Sequence, residues 1–300
     1  MTLKGKETFF KAQDGSEIEM FSVTPGDGKK HPSVIVVHEI WGLEENIRSI
    51  ANRFAKEGYN AYAPHLFSRF GKHFTAKNIE SAMTRFFSIP EKERWSQEGM
   101  QKALQTASTE EKQIIEKIFG SRNEATKTMV KDLVYLREHI MKQPEADGDK
   151  IGSIGFCLGG GLVFQLAADA PIKATSVFYG ANPDPVTSIA NIKGKVIGSY
   201  AAEDPRVNAG ISAMMESFVQ NRKEIEIKIY ENAQHAFFND LRPTYNKKGC
   251  RRCMEENIGI LCKGAGMMEK KNSESILFDC FLNWTETMIT VNAKSEPRKD

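Results

Sequence analysis

The sequence predicts an α/β fold in which helices cover both faces of one doubly wound, mostly parallel sheet. Residues 33–37 form an uninterrupted β-branched run, Ser-Val-Ile-Val-Val, typical of a strand buried on both faces. Such runs alternate along the chain with segments whose apolar residues recur at helical spacing, as in residues 46–57. With 300 residues and 40% hydrophobic content, the chain can form one domain, 1–300, around a large core.

The elements before residue 65 are a hairpin and a strand–helix–strand unit. Residues 7–12 and 17–23 alternate around Asp14-Gly15, a pattern that predicts a β-hairpin. The run 33–37 then leads to a helix over 46–57, which Gly58 ends, and to a strand over 59–64. A short strand–helix–strand connection of this kind predicts two parallel strands.

Residues 65–122 interrupt the alternation. The segment is polar, rich in Phe and Met, and lacks a strand pattern. Pro90 and Ser108 each precede acidic residues, which is typical of helix starts. Because the segment is longer than a simple connection requires, we expect a helical insertion over the carboxyl ends of the strands, and a candidate lid.

After the insertion the alternation resumes. We expect strands over 174–179, 195–200 and 224–230, and helices over 124–141, 208–221 and 273–289. Residues 292–300 are polar and are expected to form a flexible tail.

A second insertion, residues 246–272, contains Cys250, Cys253 and Cys262. Three cysteines with this spacing could suggest zinc, but a structural zinc site generally needs four ligands, and no fourth Cys or His follows at once. A redox pair or surface thiols fit the sequence better, so we expect no metal and no cofactor.

Charge and cysteine content narrow the function classes. The 41 basic and 39 acidic residues give a net charge of +2, which argues against a nucleic-acid or membrane-surface role. Five cysteines in a chain of this length do not resemble a disulfide framework, and the N-terminus lacks the apolar core of a signal peptide. We expect a cytoplasmic protein, a monomer or small homo-oligomer, that acts on a small molecule.

The stretch 151–161 carries the strongest chemical signal. Its Gly155-Phe-Cys157-Leu-Gly159 segment matches the nucleophile elbow G-x-S-x-G, with cysteine in place of serine. Glycines two residues on either side of Cys157 leave room for a sharp strand-to-helix turn. A buried structural cysteine in a glycine-rich turn is the alternative interpretation.

A cysteine nucleophile needs a base and an acid that orients the base. Asp204 and His235 each follow a predicted strand, in the order nucleophile, acid, base that is typical of α/β-hydrolases. Taken singly, Asp204 could be a helix cap before Pro205, and His235 could be a loop residue that bonds only locally.

Five stretches of the chain resemble the dienelactone hydrolases (carboxymethylenebutenolidases), which have the α/β-hydrolase fold. They are Val36-Val-His-Glu-Ile-Trp-Gly-Leu43, Tyr62-Ala-Pro64, Gly155-Phe-Cys-Leu-Gly-Gly160, Glu203-Asp-Pro205 with Val207, and Tyr230-Glu-Asn-Ala-Gln-His-Ala-Phe237. The resemblance implies that Cys157 is the nucleophile, His235 the base and Asp204 its orienting acid. It also implies that Glu39 lies near the resting thiol and takes part in its activation, and that the backbone N–H groups of Ile40 and Leu158 form the oxyanion hole.

The implied activity is hydrolysis of a lactone or ester through a thioester. In this family arginines bind the substrate's carboxylate, but the position expected for one of them is Asn239. Arg242 is close to it, and Arg85 and Arg69 are the candidates in the insertion, while Trp41 is a candidate substrate contact. The substrate therefore stays open: a different small ester or thioester, or a non-catalytic binding role, are the alternatives.

Overall fold

The structure, a computed structural model, describes residues 3–247. Within that range eight strands form one sheet in the order β1-β2-β4-β3-β5-β6-β7-β8. The strands are β1 (Lys4–Lys11), β2 (Glu17–Thr24), β3 (His31–Val37), β4 (Asn60–Pro64), β5 (Ala146–Phe156), β6 (Ala174–Phe178), β7 (Lys195–Glu203) and β8 (Ile225–Gln234). The hairpin β1–β2 is antiparallel and pairs antiparallel with β4, whereas all the other neighbouring strands are parallel. The predicted mostly parallel sheet is confirmed.

The helices alternate with the parallel strands as the sequence predicts. They are α1 (Glu45–Lys56), α2 (Ala76–Ser88), α3 (Glu91–Arg94), α4 (Gln97–Gln105), α5 (Thr109–Ile115), α6 (Arg122–Met141), α7 (Leu158–Asp169), α8 (Pro205–Asn208) and α9 (Ile211–Gln220). The helix predicted over 208–221 is α9, which begins three residues later than predicted, because the short α8 ends at Asn208 and Gly210 separates the two helices.

Both faces of the central strands are covered. In β3 six consecutive residues are buried, and in β6 all five are buried. Since successive side chains of a strand point to opposite faces, an unbroken buried run requires packing on both sides. The sheet therefore offers its carboxyl edge, rather than a face, to a ligand.

The helical insertion predicted over 65–122 is confirmed in its secondary structure. It contains α2 to α5, a 3₁₀ turn (Leu66–Phe70) and a π-helical turn (Glu116–Gly120). Its aromatic cluster consists of Phe86, Trp95 and Phe119, in which the rings of Phe86 and Phe119 stack at 3.9 Å. Trp95 also lies under the guanidinium of Arg206, 4.8 Å from the ring centre, so the insertion reaches the segment that follows β7.

The predictions on the cysteine insertion, the helix over 273–289 and the tail over 292–300 lie outside the described residues, apart from Asn246 and Lys247. A single domain over 1–300 and a mobile lid also stay predictions. Among residues 3–247, no helix is long and apolar enough to cross a membrane.

Candidate active site

Cys157 stands on the turn between β5 and α7. Its backbone has φ 53° and ψ −112°, a conformation that costs a residue with a β-carbon free energy. The glycines on either side of Cys157 are required because a β-carbon at these positions would clash with the backbone. A β-carbon on Gly155 would lie 2.1 Å from the carbonyl oxygen of Gly159, and one on Gly159 would lie 2.4 Å from that of Val37. The elbow therefore packs directly against the end of β3.

His235 and Asp204 meet Cys157 at the carboxyl edge of the sheet. The Nε2 atom of His235 lies 3.0 Å from the Cys157 Sγ, and its Nδ1 hydrogen-bonds the Asp204 Oδ2. The other carboxylate oxygen of Asp204 accepts a 3.4 Å hydrogen bond from the N–H of Val207 at the start of α8. The two interpretations of Asp204 are thus compatible, because one oxygen caps the helix and the other orients the imidazole.

The electrostatics of this trio favour a proton on His235. Burial by itself disfavours the imidazolium, but the charge of the Cys157 sulfur and the hydrogen bond to Asp204 outweigh it and raise the pKa of His235 to about 10. Burial also opposes the Asp204 carboxylate, yet its hydrogen bond to His235 and that cation's charge hold the pKa of Asp204 below its ordinary value. The arrangement suits a sulfur anion beside an imidazolium that a carboxylate holds in place.

Glu39 follows β3 and is buried. Its carboxylate accepts hydrogen bonds from the Tyr179 hydroxyl, at 3.1 Å, and from the Asn239 side-chain amide. Burial raises the pKa of Glu39 despite these bonds, because the charged form is poorly solvated there. The ring of Tyr179 packs 5.1 Å from that of His235, so one residue, Tyr179, lies between Glu39 and His235.

Sequence reasoning did not identify Tyr179, and it noted Asn239 only as the position where an arginine was expected. The available signal for Tyr179 was an aromatic residue with a polar end at the point where β6 gives way to Gly180. Its φ of 37° is also positive, as is the φ of 63° at Ala236, which follows the base. Three of the five non-glycine residues with positive φ in the described range therefore belong to this site.

The backbone N–H groups of Ile40 and Leu158 follow β3 and open α7, respectively. The first N–H groups of a helix have no intrahelical acceptor, so Leu158 can offer its N–H to an oxyanion. His38 fixes the loop that carries Glu39 and Ile40. Its Nε2 accepts the N–H of Leu66 at 3.1 Å, so its Nδ1 donates to the Glu39 carbonyl oxygen at 2.6 Å. Burial first, and His65 second, lower the pKa of His38 to about 3, so it stays neutral.

The arginines predicted to bind substrate have acidic partners. Arg242 lies 3.8 Å over the ring centre of Trp41 and bonds Glu44 at 2.6 Å. Arg85 bonds Glu111 and Thr106 within the insertion, and Arg69 bonds Asp14 and Asp132. Trp41 directly follows Glu39 and Ile40 in the loop after β3, and Arg242 contacts this loop through Trp41 and Glu44. Within residues 3–247, no group of three or more His, Cys, Asp or Glu side chains could hold a metal ion.

A family model and the sequence of a relative both match this chain and indicate the same family. The family model of the dienelactone hydrolases matches residues 18–262. A protein of Saccharolobus solfataricus named "Putative carboxymethylenebutenolidase" is 40% identical over 250 residues, which cover 83% of this chain and 95% of the relative.

Solved structures support the fold. The dienelactone hydrolase-like promiscuous phosphotriesterase P91 from metagenomic libraries has a TM-score of 0.61 and 21% identity, covering 88% of this chain and 99% of that chain. The dienelactone hydrolase of Anabaena variabilis has a TM-score of 0.59 and 14% identity, with the same coverage of 88% and 99%. The chain therefore belongs to the dienelactone hydrolase family, a family of hydrolases with the α/β-hydrolase fold.

Proposed function

We propose that the protein hydrolyses a small lactone or ester with Cys157 as nucleophile, His235 as base and Asp204 as the acid that orients it. The observation that carries the proposal is the 3.0 Å approach of the His235 Nε2 to the Cys157 Sγ, with the cysteine on a positive-φ turn. A structural cysteine needs neither that backbone conformation nor a histidine that is itself held by a carboxylate.

In the first half of the reaction, the sulfur anion of Cys157, whose proton rests on the His235 Nε2, attacks the carbonyl carbon. The resulting oxyanion accepts hydrogen bonds from the N–H groups of Ile40 and Leu158. As the intermediate collapses, the C–O bond breaks and the leaving oxygen takes the proton from His235. The acyl group then remains on Cys157 as a thioester.

In the second half, His235 takes a proton from water, and the hydroxide attacks the thioester carbonyl. The C–S bond breaks, the carboxylic acid leaves, and the sulfur returns to its state beside the imidazolium. Asp204 keeps the Nδ1–H of the ring directed away from the sulfur, so that Nε2 faces the reaction throughout.

The first experiment is hydrolysis of a dienelactone and of a panel of p-nitrophenyl esters by the wild type and by Cys157→Ala. We expect the variant to have no turnover above background. His235→Gln should lower kcat/KM by about 10²–10⁴-fold, the usual contribution of a positioned base. Mass spectrometry of quenched wild-type reactions should find the acyl mass on the peptide that contains Cys157.

A variant Cys157→Ala that is folded, by circular dichroism, and still hydrolyses the panel would contradict the assignment of the nucleophile. If the wild type hydrolyses none of the substrates, the binding-protein alternative becomes the better interpretation. The identity of the best ester in the panel separates a dienelactone hydrolase from an esterase or thioesterase of the same fold.

A further inference from the structure

The charges beside the candidate oxyanion hole form one connected cluster, here called the Glu44 cluster: Glu39, Glu44, Asn239 and Arg242. The side-chain amide of Asn239 donates to both carboxylates, and it meets Glu44 at 2.8 Å. Arg242 donates to the second oxygen of Glu44 at 2.6 Å. Two carboxylates and one guanidinium thus share a small volume.

The guanidinium of Arg242 is already paired within this cluster. The side chains of Arg242 and Glu44 are only 20% and 17% exposed, so solvent screens their attraction less than it screens a surface pair. Trp41 closes one face of the guanidinium at 3.8 Å. A carboxylate of a substrate could bind Arg242 only by competing with Glu44.

The remaining charge of the cluster is acidic. Burial raises the pKa of Glu44, and the nearby charge of Glu80 in α2 raises it further, which means that negative groups already crowd this region. Glu44 also precedes the first turn of α1, where the helix dipole favours an anion. A second carboxylate would therefore enter a region where burial and the charge of Glu80 already disfavour negative charge.

The Glu44 cluster is connected to the proposed catalytic residues both along the chain and by packed side chains. Ile40, whose N–H is assigned to the oxyanion, directly precedes Trp41. Glu39 bonds Tyr179, whose ring packs on His235. The charge of His235 also acts to lower the pKa of Glu39, so the cluster lies within electrostatic reach of the triad.

One further cation, Arg206, lies near the triad. It is exposed, stacks on Trp95, and its charge contributes to lowering the pKa of Asp204. Because Asp204 opposes its charge, Arg206 does not make the site basic.

We propose that Glu44 is a specificity-determining residue that neutralises Arg242 and reserves the site for esters or lactones whose acyl part is uncharged. The inference rests on the proposed function, since it concerns the substrate of Cys157. Its consequence is a charge filter: an anionic acyl group finds the guanidinium of Arg242 already paired with Glu44, whereas a neutral acyl group needs no cation.

The test compares two esters of nearly equal size, p-nitrophenyl methyl succinate, which is neutral, and p-nitrophenyl hemisuccinate, which carries a carboxylate. We expect the wild type to favour the neutral ester in kcat/KM by about tenfold or more. Glu44→Gln keeps the shape of the side chain but removes its charge, and it should raise kcat/KM for the hemisuccinate about three- to tenfold with little change for the neutral ester.

Two controls make the result specific. Glu45→Gln removes the same charge from the next residue, which is exposed, and should leave the ratio of the two substrates unchanged. The double variant Glu44→Gln/Arg242→Gln should lose the gain, because no freed guanidinium remains. Added salt should reduce the wild-type preference, which a purely steric filter would not do.

The outcomes distinguish this inference from the proposed function. No hydrolysis of either ester, or hydrolysis that survives in Cys157→Ala, overturns the proposed function. Hydrolysis that depends on Cys157 but favours the hemisuccinate overturns the inference alone, and loss of that preference in Arg206→Gln would identify the cation responsible. An unchanged ratio in a folded Glu44→Gln variant also overturns it.

Discussion

His235 interacts with both of the charged groups beside it, the Cys157 sulfur and the Asp204 carboxylate. One ring nitrogen faces a sulfur and the other a carboxylate, and these partners overcome the effect of burial on its charge. Glu39 shows the opposite balance, because burial outweighs two donated hydrogen bonds and raises its pKa. The same edge of the sheet thus favours the imidazolium of His235 and disfavours the carboxylate of Glu39, and the side chain of Tyr179 lies between the two.

The protonation of His235 makes stability depend on pH in a defined direction. The pKa of His235 is raised in the folded protein from 6.5 to about 10, so the folded state holds this proton more tightly than the unfolded state does. The stabilisation is complete below pH 6.5 and is lost as pH rises through about 10. The difference in unfolding free energy between the wild type and His235→Gln, from urea titrations, should therefore narrow towards pH 10.

Cys157→Ala provides the control for this pH dependence. It removes the sulfur whose charge supports the imidazolium, so in this background the difference should narrow at a lower pH. A difference between wild type and His235→Gln that stays constant from pH 6 to 10 would mean that the imidazole does not carry the extra proton.

At the scale of elements, the first turn of α7 sets the position of Cys157. It lies so close to the ends of β3 and β6 that there is no room for β-carbons on its inner side. Gly160 faces the carbonyl oxygen of Phe178, whereas Gly161, one residue on, faces ordinary contacts at 3.5 Å or more. Close packing therefore requires a glycine at position 160, whereas position 161 has room for a β-carbon.

We expect Gly160→Ala and Gly161→Ala to change stability in opposite directions. The added β-carbon of Gly160→Ala would lie 2.6 Å from the Phe178 carbonyl oxygen, which should destabilise the protein by about 1–3 kcal/mol. Gly161→Ala gains helix propensity without a clash and should stabilise by about 0.5–1 kcal/mol. Urea titrations measure the unfolding free energy of both variants, and an equal change in the two would contradict the close packing described for Gly160.

The sequence predicts the elements and much of the site because both depend on local patterns. The buried run of β3, the glycines around Cys157, and the polar residues after β7 and β8 are all visible within a few residues. The partners of Glu39 and Arg242 are not, because Asn239 is 200 residues from Glu39 and Arg242 is 198 residues from Glu44. No periodicity links residues so far apart, and only the folded sheet brings them together.

At the scale of the whole molecule, the side chains of the candidate site come from one edge of the sheet, and the insertion covers part of that edge. The strands β3, β5, β6, β7 and β8 each supply a residue at or just beyond their carboxyl end: Glu39, Cys157, Tyr179, Asp204 and His235. The insertion contacts this edge through two aromatic side chains. Phe87 stacks on Trp41 at 5.6 Å, and Trp95 lies under Arg206.

Trp95→Ala should loosen the insertion more than the sheet. The substitution removes ring contacts with Phe86 and Phe119 and the cation–π contact with Arg206, and aromatic pairs contribute about 0.5–1.5 kcal/mol each. Limited proteolysis under native conditions should therefore cut residues 65–122 faster in the variant. Val219→Ala, at a side chain 73% exposed, is the matched control and should leave the cleavage rate unchanged. Faster cutting outside 65–122 alone would contradict the role of Trp95.

The positive-φ backbone at Cys157, Tyr179 and Ala236 has a consequence for directed evolution. Such conformations cost roughly 1–3 kcal/mol each for residues other than glycine. At Tyr179 the buried ring outweighs this cost, because its loss would open a cavity in the core. At Cys157 the side chain is small, so a library selected only for survival at high temperature would be drawn towards Cys157→Gly, which relieves the backbone strain but removes the sulfur. The most heat-resistant clones would then include inactive ones, so a thermostability campaign on this protein has to score turnover in the same round.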